Sequence, residues 1–290
     1  MTTIASGSSA VYKRIPGAAL RAVLVLWLVL IPALIAPADR VENMLVVAFV
    51  AVFAAVFTLV EYSSNAPSLV EFRAAPPFNR LRFVSLMLIV FCLSHLARGL
   101  DGAAGFTLFA HAIGIKMGQI ADFPYSPVRL LISIMPESTE TAQLIQMRTM
   151  AGLSYLTSIV TLLAFILVLR FRGWPQRSGV FNVWVNLPTF DPAAGGDVVD
   201  RLNRDSMFNL ILGFLLPFIL AAIGKIANDF VQPITITSSH TLIWMITLWA
   251  FLPLCLLMRG VALARVAQMI YVQRKRAFAR ASRSGSQQLV

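Results

Sequence analysis

Imidazole is the side chain in this sequence best suited to ligate a metal or haem iron, or to carry protons near neutral pH. There are three histidines, His95, His111 and His240. Paired ligands on one helix face stand three or four positions apart, and no two of these do. No HExxH motif or acidic cluster accompanies them either. Two fall at the ends of apolar runs and one between runs, so they read as hydrogen-bonding residues near the water–lipid interface. We expect no metal and no cofactor. Cys92 and Cys255 lie at different predicted depths and are expected to pack as small apolar groups rather than as a disulfide.

Other catalytic patterns fail on the same inspection. Asp101-Gly102 lacks the preceding Asp, the following Ala-Arg and the later Asp pair that would make it the motif of the CDP-alcohol phosphotransferases. No GxSxG, Walker A or GxGxxG signature is present. A non-enzymatic protein is the expectation. Reviving an enzyme would need loss of an activity on replacing Asp101, Asp122, His95 or His111.

The elements that would position any of these residues are apolar. Of 290 residues, 58% are hydrophobic and 13% charged, against about a quarter charged in an ordinary soluble domain. Stretches free of Asp, Glu, Lys and Arg cover 22–38, 43–60, 83–97, 149–169, 206–224 and 230–258. A spanning helix needs roughly 17–25 such residues. The third run is short, but Arg80, Arg82 and Arg98 at its ends can snorkel to the headgroups. The fold class expected is all-α, a polytopic transmembrane helical bundle of six spans. The spans fall near 18–38, 42–61, 82–98, 149–169, 206–225 and 239–259, with N-in/C-in orientation.

The net charge of +11 raises nucleic-acid binding first. The basic residues, however, are distributed between the spans. In the six-span arrangement eighteen of the 24 Lys and Arg fall on one side, the bias of a cytoplasmic face. The basicity is topological, and no nucleic-acid partner is expected. A seventh span over 103–115 would be only about 13 residues, below the usual minimum, and would put the basic tail outside. An Ala36-Pro37-Ala38 signal-type cleavage site is the weaker reading of the first span, because Asp39–Glu42 suits a tight turn into the second.

Between the spans, two segments stand out. The external loop 98–148 carries an apolar, glycine-flanked stretch at 103–118, interfacial or re-entrant, which would lie on the outer leaflet or fold back on the bundle. Pro136 is expected to open the helix that enters the fourth span. The loop 62–82, with Pro67, Pro76 and Pro77, is expected to be extended. The cytoplasmic loop 170–205 alternates partly at 180–187, like a short strand. Asp197 then suits the N-cap of an amphipathic helix feeding the fifth span. Small-xxx-small spacing at Ala51 and Ala55 allows close helix approach, and Pro32, Pro217 and Pro253 fall inside spans.

The aromatic-rich stretch around Phe181 and Trp184, with Asp191, Asp197, Arg201 and Arg204, is the candidate protein-docking surface. Arg274, Lys275, Arg276 and Arg280 in the basic tail 260–290 are the candidate contacts with anionic inner-leaflet lipids. Dry spans and no catalytic cluster point to a non-enzymatic subunit of an inner-membrane assembly, such as a secretion or conjugation apparatus. The alternative is a small-solute carrier or channel using kinked spans five and six and hydroxyls such as Thr235, Thr237, Ser238, Ser239 and Thr241.

Overall fold

The computed structural model describes residues 15–36, 41–64, 69–100, 103, 105–174, 183–191, 195–230 and 238–287. Among them every regular element is helical. They are α1 (Ile15–Ile35), α2 (Val41–Ser63), α3 (Phe78–Arg98), α4 (Gly105–Ala121), α5 (Pro127–Ile132), α6 (Thr141–Arg172), α7 (Val183–Asn186), α8 (Val198–Phe230) and α9 (Ser239–Gln287). Six of these, α1, α2, α3, α6, α8 and α9, are long and apolar enough to cross a membrane. In hydrocarbon a helix satisfies its own backbone, so apolar runs of this length have no other spanning form open to them. Six crossings return the start of α1 and the end of α9 to one side, here called the tail side.

Helices α3, α6 and α9 pack mutually at the centre. Hairpin α1–α2 leans on α3 through α1, and α8 lies along α9. Ala51, midway along α2, is fully buried, while Ala55, its partner in the small-residue spacing, is half-buried. Much of α2 is bare: Leu45, Phe49, Phe53 and Val60 are all more than half exposed, as suits a lipid-facing surface. Two cores stack through the bundle. One, away from the tail side, gathers Leu93, Leu96, Met150, Ile243 and Trp249 with Val128 and Leu131 of α5. The tail-side core gathers Phe72, Phe78, Phe165, Trp174, Leu187, Leu202, Met258 and Val266.

Segment 98–148 folds back on the bundle. Helix α4 crosses α6 at glycines: a Cβ on Gly114 would lie 2.7 Å from Thr149 Cγ2, and one on Gly118 2.7 Å from the Arg148 carbonyl oxygen. Only glycine permits so close an approach of two backbones.

Several expectations need correction. Pro136 does not open a helix: residues 136–139 form a turn, Thr139 N–H donating to the Pro136 oxygen, and helical bonding begins where Leu144 N–H donates to Glu140 O. The alternation at 180–187 is not a strand in its described part, because 183–186 is a helical turn; among the described residues no strand offers a ladder, and its Asn186 is used to anchor the 72–74 turn. The 62–82 loop is not extended over residues 69–77, which turn tightly and bury Phe72 and Ala75. The sixth spanning helix runs on through the basic tail to Gln287, an extension for which the sequence reading made no provision.

Candidate functional site

On the tail side, loops that are distant in sequence close over the helix ends. Asn186, buried, accepts the Phe72 N–H on its backbone oxygen at 2.7 Å and the Ala74 N–H on its side-chain oxygen at 3.0 Å. Trp174 Nε1 donates to the Ala75 oxygen, while the Trp174 oxygen accepts from Arg265 Nε of α9. Phe72 packs its ring 4.5 Å from Phe78 and 5.6 Å from Trp174. At the end of α2 the buried Glu61 accepts from the N–H groups of Leu69 and Val70 at 2.8 and 3.0 Å. A buried carboxylate with two backbone donors is a satisfied one, and it fixes where this turn begins. Glu71 then pairs with Arg259 of α9 in a two-pronged contact of 2.7 and 2.9 Å. Sequence reasoning missed both Asn186 and this pair; the only signal was two isolated opposite charges flanking spans on the same side.

Three of the docking candidates belong to this layer. Asp197 caps α8, taking the Val199 N–H at 2.6 Å, and its other oxygen pairs with Arg274 of α9 at 2.6 Å. The Arg274 hydrogen bond, then the Val199 N–H, hold the Asp197 carboxyl below the ordinary carboxylate range. Arg201 donates to the Asp191 oxygen at 2.9 Å and lies over the Phe190 ring, its Cζ 4.7 Å from the centroid. Arg204 is exposed. Phe181 lies outside the described residues, as does the side chain of Trp184 within α7. Of the lipid candidates, Arg274 joins Asp197, while Lys275, Arg276 and Arg280 are exposed along α9.

Away from the tail side, Asp122 meets both Arg129 and Arg148, tying the α4–α5 turn to α6. His95 Nδ1 lies 3.0 Å from Thr107 Oγ1. Among the described residues, the buried His111 Nε2 and His240 Nδ1 have no hydrogen-bond partner. Among the described residues no three His, Cys, Asp or Glu gather where a metal could be held, and Cys92 and Cys255 are free thiols. Asp101, Thr235 and Thr237 lie outside the described residues.

Helix α9 also floors a cleft of about 310 Å³ whose walls are α6 and α8, near the lower end of the roughly 300–1,000 Å³ usual for ligand sites. Its lining is mainly apolar and includes Tyr155, Phe214, Pro217, Trp249 and Pro253. Proline has no N–H, so Pro217 cannot serve the carbonyl four residues back at Gly213, nor Pro253 that of Trp249. Both residues face this cleft. Trp249 Nε1 reaches across to the Pro217 oxygen at 3.4 Å, and the Ser158 hydroxyl donates to the Ala250 oxygen.

Comparison with family models, with curated proteins and with solved structures finds no match to this chain. What its own geometry establishes is a polytopic membrane-helix protein.

Proposed function

We propose that the chain is a non-enzymatic subunit of a multiprotein assembly in a bacterial-type inner membrane, of the secretion or conjugation kind, with its tail side cytoplasmic. The supporting observation is α9. It runs 49 residues, about 73 Å at 1.5 Å per residue, against a hydrocarbon layer of about 30 Å. Its first extramembrane turns are held by the tail-side core, through Ala262, Leu263, Val266 and Ala267. Beyond them every residue from Gln273 to Ser282 is exposed. That arm carries Arg274, Lys275, Arg276 and Arg280 around an exposed Phe278. A rigidly based, basic and aromatic helix end suits contact with an acidic protein surface, with anionic headgroups beneath it. Gentle detergent extraction of the natively expressed protein, followed by sizing and mass spectrometry, tests this. A large complex of defined composition is expected; recovery alone, as a monomer or small homo-oligomer, contradicts it.

A second reading, a carrier or channel for small solutes, is favoured by the α6–α8–α9 cleft, where two prolines leave backbone carbonyls without their helical donors. Broken helices line sites in this way in transporters. Solute flux in vesicles holding the purified chain alone would support that reading over the first.

A further inference from the structure

We infer that the ends of α1, α2 and α3 on the tail side form a binding site for the phosphate of an anionic lipid headgroup, held by Arg21 and Arg82 beside Tyr62. Arg21 projects from α1 with its Cζ 4.7 Å from the Tyr62 ring centroid, one guanidinium nitrogen donating to the Gly17 oxygen. Arg82 projects from α3 with its Cζ 5.3 Å from the Phe78 ring and its guanidinium against the Cys255 thiol of α9; among the described residues its buried Nε has no hydrogen-bond partner. Arg73 stands in the same electrostatic neighbourhood of Tyr62 and donates to the Glu61 and Ser64 oxygens.

Arg21 meets the Tyr62 ring at the end of α2 and Arg82 stands at the end of α3, while the Glu61 carboxylate is engaged with the N–H groups of Leu69 and Val70. Among the described residues neither Arg21 nor Arg82 has an ion pair. The buried Nε of Arg82 lacks an acceptor among the described residues, and an anion from outside the chain would supply one. The guanidinium fork matches phosphate oxygens two at a time. Arg21 and Arg82 lie in spanning helices, near their tail-side ends, at the level where lipid phosphates lie; basic pockets between spanning helices bind such headgroups. The inference does not depend on the assembly reading.

The test uses the full chain, delipidated in neutral detergent. Its thermal midpoint is followed during titration with phosphatidylglycerol, with phosphatidylcholine and with inorganic phosphate. Phosphatidylglycerol is expected to stabilise saturably, phosphatidylcholine and inorganic phosphate far less. Arg21→Gln and Arg82→Gln should each weaken the apparent affinity about fivefold, and Arg129→Gln, on the other side of the bundle, should leave it unchanged. Where a Gln variant fails to fold, Arg21→Lys and Arg82→Lys replace it, and affinity must still fall because the fork is lost. Unchanged affinity in the Arg21 and Arg82 variants overturns the site. Equal stabilisation by inorganic phosphate overturns its assignment to a lipid.

Discussion

Glu71 and Arg259, 188 positions apart, meet through both carboxylate oxygens and two guanidinium nitrogens. The contact joins the turn after α2 to the point where α9 leaves its apolar run. Glu71 also accepts from Thr189 Oγ1 and, on its backbone oxygen, from Asn79 Nδ2. The Glu71 carboxylate thus ties together both tail-side loops and the base of the α9 arm, and its backbone oxygen adds α3. The pair is largely shielded, with the Glu71 side chain 12% exposed and that of Arg259 29%.

Breaking the pair from one side should therefore cost more than a surface ion pair. Arg259→Ala is expected to lower stability by about 2–3 kcal/mol, since it leaves a shielded carboxylate with its main donor gone. Glu71→Gln keeps an acceptor and should cost less. In thermal unfolding the double variant should be clearly less destabilised than the sum of the two single changes.

The six spans were legible because each is a charge-free run of sufficient length, and that signal is local. Asp197 was legible for the same reason: a cap is read within a few residues of the helix it starts. The Glu71–Arg259 pair was not, since nothing near either residue specifies a partner 188 positions away. Pro136 misled because a proline suited to a first helical turn equally suits the turn 136–139, and the choice is made by packing of α5 and α6. The alternation at 180–187 misled because periodicity over so few residues cannot tell a strand from a helical turn whose Asn186 and Leu187 are buried by the neighbouring loop. Phosphate-type recognition at Arg21 and Arg82 was hidden in charges that the topology alone explains.

The α4–α6 crossing is set by glycine. A Cβ at Gly152 would lie 2.5 Å from Gly118 Cα, so Gly152→Ala must push two backbones apart. A loss of about 1–3 kcal/mol is expected. Gly105→Ala, with nothing within 4 Å of the added carbon, is the control and should be near neutral. Unfolding midpoints of the two variants in the same detergent decide this.

The Asp197–Arg274 link gives the arm a pH dependence. Because the folded-state carboxyl is held below its ordinary value, its contribution is complete above the ordinary carboxylate range and is lost as pH falls through the lowered one. Protection of the amides at residues 198–201 and 271–278, taken as exchange relative to an unstructured amide at the same pH, should therefore fall on acidification below the ordinary carboxylate range. Asp197→Asn should show low protection at neutral pH with little further change. The link is solvent-exposed, so added salt should act in the same direction.

The charge bias predicts an orientation with both ends inside. Reporter fusions after Leu69, Ala142 and Val290 are expected to read inside, outside and inside. A cytoplasmic signal at Ala142 would contradict six spans with both ends inside.

The central claim is that the α9 arm contacts a protein partner in the membrane assembly. Photo-reactive residues placed at Tyr271 and Phe278, both exposed on that arm, test it in intact cells. The account predicts a discrete protein adduct of constant mass from Phe278. Adducts with lipid alone from both positions would contradict it.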